Sequence, residues 1–393
     1  MRQYLAVKAR HPDAIVFYRM GDFYEMFLAD AELAAPLLDI ALTTRDRGKP
    51  DAVPMCGVPV HAADAHIKRL ADLGHRVAIC EQVERPSAAA GRRLVKREVV
   101  EVITPGLVGS PDGIEATREL CVAALDPGPP VGLAILEAST GEFRCTEVDG
   151  SASPLPVAIV EELERVEPRE ILLPSGQTAL ASVLAKRVPT ASHTLVPESS
   201  YDPKAIPASI EGFDPSRPDA ATRAAAALVR YVADHQPFAL PQLNRLRRYR
   251  LSDAMLLDAA TLDHLELFRN GEDGGRARTL IARIDVSATP LGARRLARWL
   301  AYPLVGAAAI AARQDAVAGL AERDRLRARV RDALKPVRDL ERLLAKAARP
   351  SATPRDLAAL RASLEALPGL RGALESHDEE LLPTASFDPA GFV

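Results

Sequence analysis

The chain has 393 residues, 48% hydrophobic and 26% charged, which is enough for two or three domains with cores of their own. Lysine and arginine total 50 against 53 aspartate and glutamate, a formal net charge of −3, so bulk charge does not mark a nucleic-acid binder and local patches must carry any such function. No apolar run approaches bilayer length, the opening MRQYLAVKARHPD lacks a signal-peptide core, and Cys56, Cys80, Cys121 and Cys145 form no CxxC pair; these features predict a cytoplasmic protein with reduced thiols and exclude a zinc ribbon or disulfide framework.

After a polar, helix-like opening, the stretch AIVFYRMGDFYEMF at 14–27 reads as a β-hairpin. Gly21-Asp22 suits a two-residue loop with glycine first, which pairs Met20 with Phe23, Arg19 with Tyr24 and Tyr18 with Glu25. The period of two then sets Phe23, Glu25 and Phe27 on one face. An apolar helical stretch, DAELAAPLLD, follows, then IALTT and a loop around Gly48-Lys49-Pro50. HAADAHIKRLADLG reads as a helix closed by Gly74, and RVAICEQV as a strand. The turn formers of VGSPDGIEA mark a linker.

Beyond the linker, VGLAILEAS and EFRCTEV read as strands about Thr140-Gly141, followed by the helix VAIVEELERV and the strand EILLP, an order that predicts a second compact α/β domain. The six prolines of residues 187–219 predict irregular backbone. From about residue 251 the pattern is helical almost without interruption. Thr289-Pro290 and Thr353-Pro354 each read as an N-cap followed by proline in the first turn. Leu357, Leu360, Leu364 and Leu367 form an apolar stripe expected to pack in a core. Two basic clusters stand out: Arg92, Arg93, Lys96 and Arg97, and Arg245, Arg247, Arg248 and Arg250.

FYRMGDFYEMF resembles the mismatch-recognition segment of the bacterial MutS family of DNA mismatch-repair sensors. VPMCGVPVHAADAHIKRLADLGHRVAICEQ, VVEVITPG, LLDAATLDHLEL and TPLGARRLARWL resemble further segments of that family, in the same order. Departures occur at Val60, where the family usually has tyrosine, and at Leu262, Asp263 and His264, where it has Arg-Arg-Asn. The resemblance implies a mixed α/β mismatch-binding domain at 1–112, an RNase H-like α/β connector at 117–245 and part of an all-α core and lever region at 250–393. It also implies duplex DNA with mismatches or small loops as ligand, a MutL-type repair partner on the connector, and no membrane. Full-length relatives are dimers that use ATP and magnesium. The chain contains no GxxxxGK[ST] loop, so no ATP hydrolysis and a largely monomeric state are expected of it.

On that resemblance Phe23 is the wedge. Unstacking costs least at a poorly paired base, and an aromatic face stacks on any base, so many mismatches can be accepted. The ionised carboxylate of Glu25 accepts hydrogen bonds and repels phosphates, opposing attachment to intact duplex; in the family the corresponding glutamate bonds a ring nitrogen of the disturbed base. Arg45, Arg47, Arg92, Arg93, Lys96 and Arg97 are candidates for supporting DNA contacts. Two other classes compete: a protein-interaction module built on the connector, and a metal-dependent nuclease using Glu137, read as lying on the first connector strand. A single carboxylate is too few for two-metal chemistry. His61 and His66 lack the i, i+4 spacing of a helical zinc pair.

Overall fold

The computed structural model describes residues 1–45, 52–83, 95–107, 119–150, 154–207, 209–216 and 218–375. Arg47, Arg92, Arg93, the loop at 48–50 and the linker segment 108–116 lie outside the described residues.

The first unit runs α1 (Arg2–Arg10), β1 (Ala14–Met20), β2 (Phe23–Phe27), α2 (Ala29–Leu38), β3 (Thr43–Arg45), β4 (Val53–Pro59), α3 (Ala63–Asp72), β5 (Arg76–Gln82) and β6 (Arg97–Ile103). Its six strands are ordered β3-β4-β2-β1-β5-β6. β1 and β5 are parallel, and the other neighbours antiparallel. Alternation along β1 and β2 divides the core. Ile15, Phe17, Tyr24 and Met26 pack with Ala31, Ala34, Leu38, Ile67 and Leu70 of α2 and α3 on one face. Ala14, Val16, Tyr18 and Phe27 pack under Tyr4 and Val7 of α1 on the other. A buried carboxylate fixes α1 there: Asp30 accepts from Tyr4 Oη at 2.6 Å, Lys8 Nζ at 2.7 Å and the Val16 amide at 3.0 Å.

The second unit comprises β7 (Cys121–Asp126), β8 (Val131–Glu137), β9 (Glu142–Val148), α4 (Val157–Val166), β10 (Glu170–Pro174), α5 (Thr178–Arg187), β11 (Ser192–Val196), α6 (Ala220–His235) and β12 (Leu246–Arg248). Its sheet has the order β11-β10-β7-β8-β9-β12. β7, β8 and β9 form an antiparallel meander, β10 lies parallel to β7, and β11 parallel to β10. The sheet is covered on both sides, by Ile159, Leu163, Leu180 and Leu184 of α4 and α5 on one, and by the alanine-rich α6 on the other. Strands enclosed on both faces lose the alternating pattern. β7 was not anticipated for that reason: CVAALD is short, alanine-rich and without alternation. Its presence corrects the position of Glu137, which ends the second strand of this sheet, not the first. β11 likewise replaces part of the irregular backbone expected at 187–219, because Ser192–Val196 gains a ladder on β10 that local composition does not reveal.

Small residues set the layer spacing. A Cβ on Gly132 would stand 2.0 Å from the Ala220 carbonyl oxygen, so glycine lets α6 lie directly on β8. Asp219 caps that helix, accepting from the Thr222 amide at 2.9 Å.

Beyond residue 250 the named elements are α7 (Ala259–His264), α8 (Leu280–Ile284), α9 (Pro290–Ala301), α10 (Ala307–Ala321), α11 (Asp324–Leu334), α12 (Leu340–Ala347) and α13 (Pro354–Glu375). Near-continuous helix was expected, yet residues 265–279 form turns. Asn270 holds them, donating Nδ2 to Asp273 Oδ1, Gly275 O and Ala277 O while Oδ1 accepts from the amides of Glu272 and Asp273. Both threonine caps form: Thr289 Oγ1 accepts from the Gly292 amide and Thr353 Oγ1 from that of Asp356. The leucine stripe on α13 is not core. Leu357 and Leu364 are 51% and 50% exposed.

The two α/β units meet around Glu170, which has no exposed surface. Its carboxylate accepts from Thr104 Oγ1 at 2.5 Å and the Gly106 amide at 3.2 Å in the first unit, and from Thr194 Oγ1 at 2.6 Å and Tyr231 Oη at 2.7 Å in the second. Arg76 Nη2 lies 3.7 Å away. A buried carboxylate is tolerated when its lone pairs are filled in this way.

Candidate nucleic-acid interface

The hairpin has the register expected of it, with Met20 opposite Phe23, Arg19 opposite Tyr24 and Tyr18 opposite Glu25. Gly21 takes φ +61°, a conformation open to glycine without steric cost. β4 flanks β2 on its other side, Phe23 pairing with Pro59 and Glu25 with Gly57. The hairpin tip is therefore the end of a six-stranded sheet rather than a free ribbon. Phe23 is 48% exposed, although its neighbours Tyr24 and Met26 are buried. Leaving about half of a phenylalanine in water forgoes roughly 1–2 kcal/mol of burial.

Phe27, two pleats along, is buried under α1, its ring 5.0 Å from that of Tyr4. α1 thus covers one end of this face, and Phe23 and Glu25 lie at the end it leaves open. Glu25 is half-buried between Tyr18 and the side-chain-free Gly57. Burial pushes its carboxyl above the ordinary range, and the positive charges of Arg45 and Arg97 pull against that shift.

Arg45, on the edge strand β3, stands 5.7 Å from the Phe27 ring centroid. Arg97, at the start of β6, stands 5.2 Å from that of Tyr18 and donates Nε to the Arg19 carbonyl at 2.7 Å. The fold therefore gathers Phe23, Glu25, Arg45 and Arg97 on one face. Lys96 is exposed and forms an ion pair with Glu98 at 2.6 Å. Arg19 was not among the expected site residues. Its Nε donates to the Gly21 carbonyl at 2.5 Å, stiffening the loop, and its guanidinium lies 5.6 Å from the Tyr24 ring. Tyr24 Oη donates to Glu81 on β5, which ties the back of the hairpin to the sheet. The period-two pattern would have located Arg19 beside the loop, but nothing local indicates that Glu81, 62 residues away, completes its surroundings.

Glu137 offers no open site. Its Oε1 accepts from the Leu120 amide at 3.0 Å and from Ser139 Oγ at 2.7 Å, and the residue is buried. Among the described residues no three histidine, cysteine, aspartate or glutamate side chains converge in a metal-holding group. No described helix is long and apolar enough to cross a membrane.

Two α/β units followed by a helical region, with an exposed aromatic residue at the hairpin tip of the first unit, define a multidomain protein. The family models agree with that order: MutS domain I matches residues 1–112, MutS domain II residues 119–244 and MutS domain III residues 260–387. The chain belongs to the MutS family of DNA mismatch-repair proteins. It is 42% identical over 390 residues to the DNA mismatch repair protein MutS of Desulfosudis oleivorans, covering 96% of this chain and 44% of that protein. The MutS proteins of Anaeromyxobacter dehalogenans and Myxococcus xanthus are 43% and 42% identical, over 98% and 97% of this chain. The chain thus spans less than half the length of these relatives.

Proposed function

We propose that the first unit recognises mismatched or unpaired bases in duplex DNA, with Phe23 entering the base stack and Glu25 testing the disturbed base. The observation that carries this reading is an exposed phenylalanine held rigidly beside a half-buried carboxylate on one open face. A mispaired step kinks and unstacks more cheaply than a paired one, so a fixed ring enters there preferentially. Arg45 and Arg97 flank the carboxylate and are placed to meet phosphates, the sequence-independent part of binding. Raised toward neutrality by burial, the Glu25 carboxyl can donate a hydrogen bond to a ring nitrogen; ionised, it repels the backbone of intact duplex.

The meander followed by two parallel strands in the second unit supports the RNase H-like connector reading, with Glu137 buried and its Oε1 accepting internal hydrogen bonds. On the same reading this unit receives a MutL-type repair partner. ATP, magnesium and dimer formation enter the proposal only for the full-length family. Titration of matched and mismatched duplexes at one fixed salt concentration tests the central claim with Phe23→Ala. The expected result is loss of mismatch preference with weak duplex binding retained; an unchanged affinity ratio would falsify the wedge.

A further inference from the structure

Strand β6 connects two places that the mismatch-reading proposal does not link. Its first residue, Arg97, belongs to the open face. Three residues on, the pairing with β5 slips: Cys80 opposes Val99 and Ile79 opposes Glu101, so Val100 is an extra residue. Such a bulge re-aims the side chains that follow it. Val99 packs with the α1 face, whereas Val100 packs with the α2 and α3 face.

Glu101 is buried and meets a residue of the helical region. Arg349, in the turn between α12 and α13, donates Nη2 to Glu101 Oε2 at 2.6 Å, with the two side chains 8% and 9% exposed. The same guanidinium lies 5.2 Å from the ring of Phe238, in the 3-10 turn Pro237–Gln242 of the second unit. One arginine therefore touches all three parts of the chain. Its turn is braced, since Asp356 accepts from the Thr353 amide at 2.9 Å and pairs with Lys346 Nζ at 2.9 Å. α12 is itself held to the second unit by Arg342 Nε donating to Ser139 Oγ at 3.1 Å and Gln242 Nε2 donating to the Ala345 carbonyl at 3.3 Å. Burial, with Asp64 and Glu81 nearby, pushes the Glu101 carboxyl up, and Arg349 opposes it.

A buried ion pair adds little net stability over apolar packing of equal volume, but losing one partner is costly, so its use is to enforce one arrangement. We propose that the Glu101–Arg349 pair is a latch that fixes the first unit against the helical region, making Arg349 a positioning residue for the hairpin that reads DNA. β6 is the connecting element. Displacement of Arg97 by DNA is transmitted along one strand to Glu101, and movement of the α12–α13 turn is transmitted back. The inference rests on the mismatch-reading proposal for its consequence, but not for its geometry.

The test uses the full 393-residue chain labelled at Asp22→Cys and Arg361→Cys, both exposed positions, the native cysteines being buried. Pulsed dipolar spectroscopy without DNA is expected to give a narrow distance distribution for the parent. Glu101→Gln and Arg349→Gln should broaden it, and the exchanged pair Glu101→Arg with Arg349→Glu should narrow it again. Hydrogen exchange at the β6 amides should accelerate by roughly tenfold in the single variants and recover in the exchanged pair. In duplex titrations Arg349→Gln should lower the mismatch preference by about fivefold or more. Unchanged distances in both single variants, or an exchanged pair that stays as broad as a folded single variant, would overturn the latch whether or not the parent discriminates mismatches. A parent with no mismatch preference would overturn the functional reading while the distances still judged the latch.

Discussion

Among the described residues the chain builds two six-stranded sheets and covers them unequally. In the second unit helices lie on both faces; all seven residues of β8 are buried, and the interior carboxylates Glu170 and Glu162 accept hydrogen bonds from hydroxyl donors, while Glu137 is paired through Oε1 alone. In the first unit α2 and α3 pack on one face, but α1 covers the other only as far as Phe27 and leaves Phe23 and Glu25 at an open end. The same strand period thus yields an enclosed sheet in one unit and, in the other, a sheet with an open end, the end at which we propose DNA is read. What differs is how far the covering helix extends, and a carboxylate left half-covered is one whose charge can respond to a ligand.

The comparison can be broken most sharply at Glu170. Replacing it with leucine removes the acceptor of Arg76, Thr104, Thr194 and Tyr231 at the junction and should cost about 3–5 kcal/mol, read as a fall in the urea midpoint by circular dichroism. A loss under 1 kcal/mol would mean that the enclosed sheet does not depend on its buried carboxylate. Gly132→Ala is expected to cost about 1–3 kcal/mol, because the new methyl group must push α6 off β8; the same midpoint measures it.

On the open sheet the order of effects should reverse. Phe23→Ala should change stability by no more than about 0.5 kcal/mol, the ring being half in water, yet remove a stacking contribution of about 1–3 kcal/mol from heteroduplex binding. A large stability loss with unchanged discrimination would make Phe23 a core residue after all.

Glu25→Gln sharpens the comparison further. A folded carboxyl with a raised pKa binds its proton more tightly than the unfolded chain does, so ionisation of Glu25 opposes folding above the folded value and contributes nothing below the unfolded value of about 4.3. The variant should therefore be slightly more stable than the parent near neutral pH. That difference should close as pH falls through the carboxylate range. It should also bind matched duplex more tightly, narrowing discrimination from the matched side. Parallel stability curves for parent and variant across this range, or weaker matched-duplex binding, would count against the charge argument.

Much of the hairpin was legible because its signals are local. Gly21-Asp22 specifies the loop, the loop specifies the register, and the register sets Phe23 and Glu25 on one face. The two threonine caps followed the same logic at Thr289 and Thr353. The misreadings share a cause in burial. β7 lacks alternation because both of its faces are covered, and β11 is a strand only because β10 offers it a ladder. The leucine stripe of α13 has the spacing of a packed face, but spacing does not state which neighbour is present, and Leu357 and Leu364 remain exposed.

By itself the sequence determined the Gly21-Asp22 turn, which hairpin residues share a strand face, and the collinear MutS resemblance, all properties of residues close together along the chain. Only the tertiary structure decided that Phe23 stays in water while Phe27, four residues on along the same strand face, is buried, since that depends on where Asp30 anchors α1. It alone brought Arg97 to Tyr18 and Arg349 to Glu101, pairings across 79 and 248 residues. A charge exerts force over a few ångströms of space, and no local pattern records which distant residue the packed fold will bring within that range.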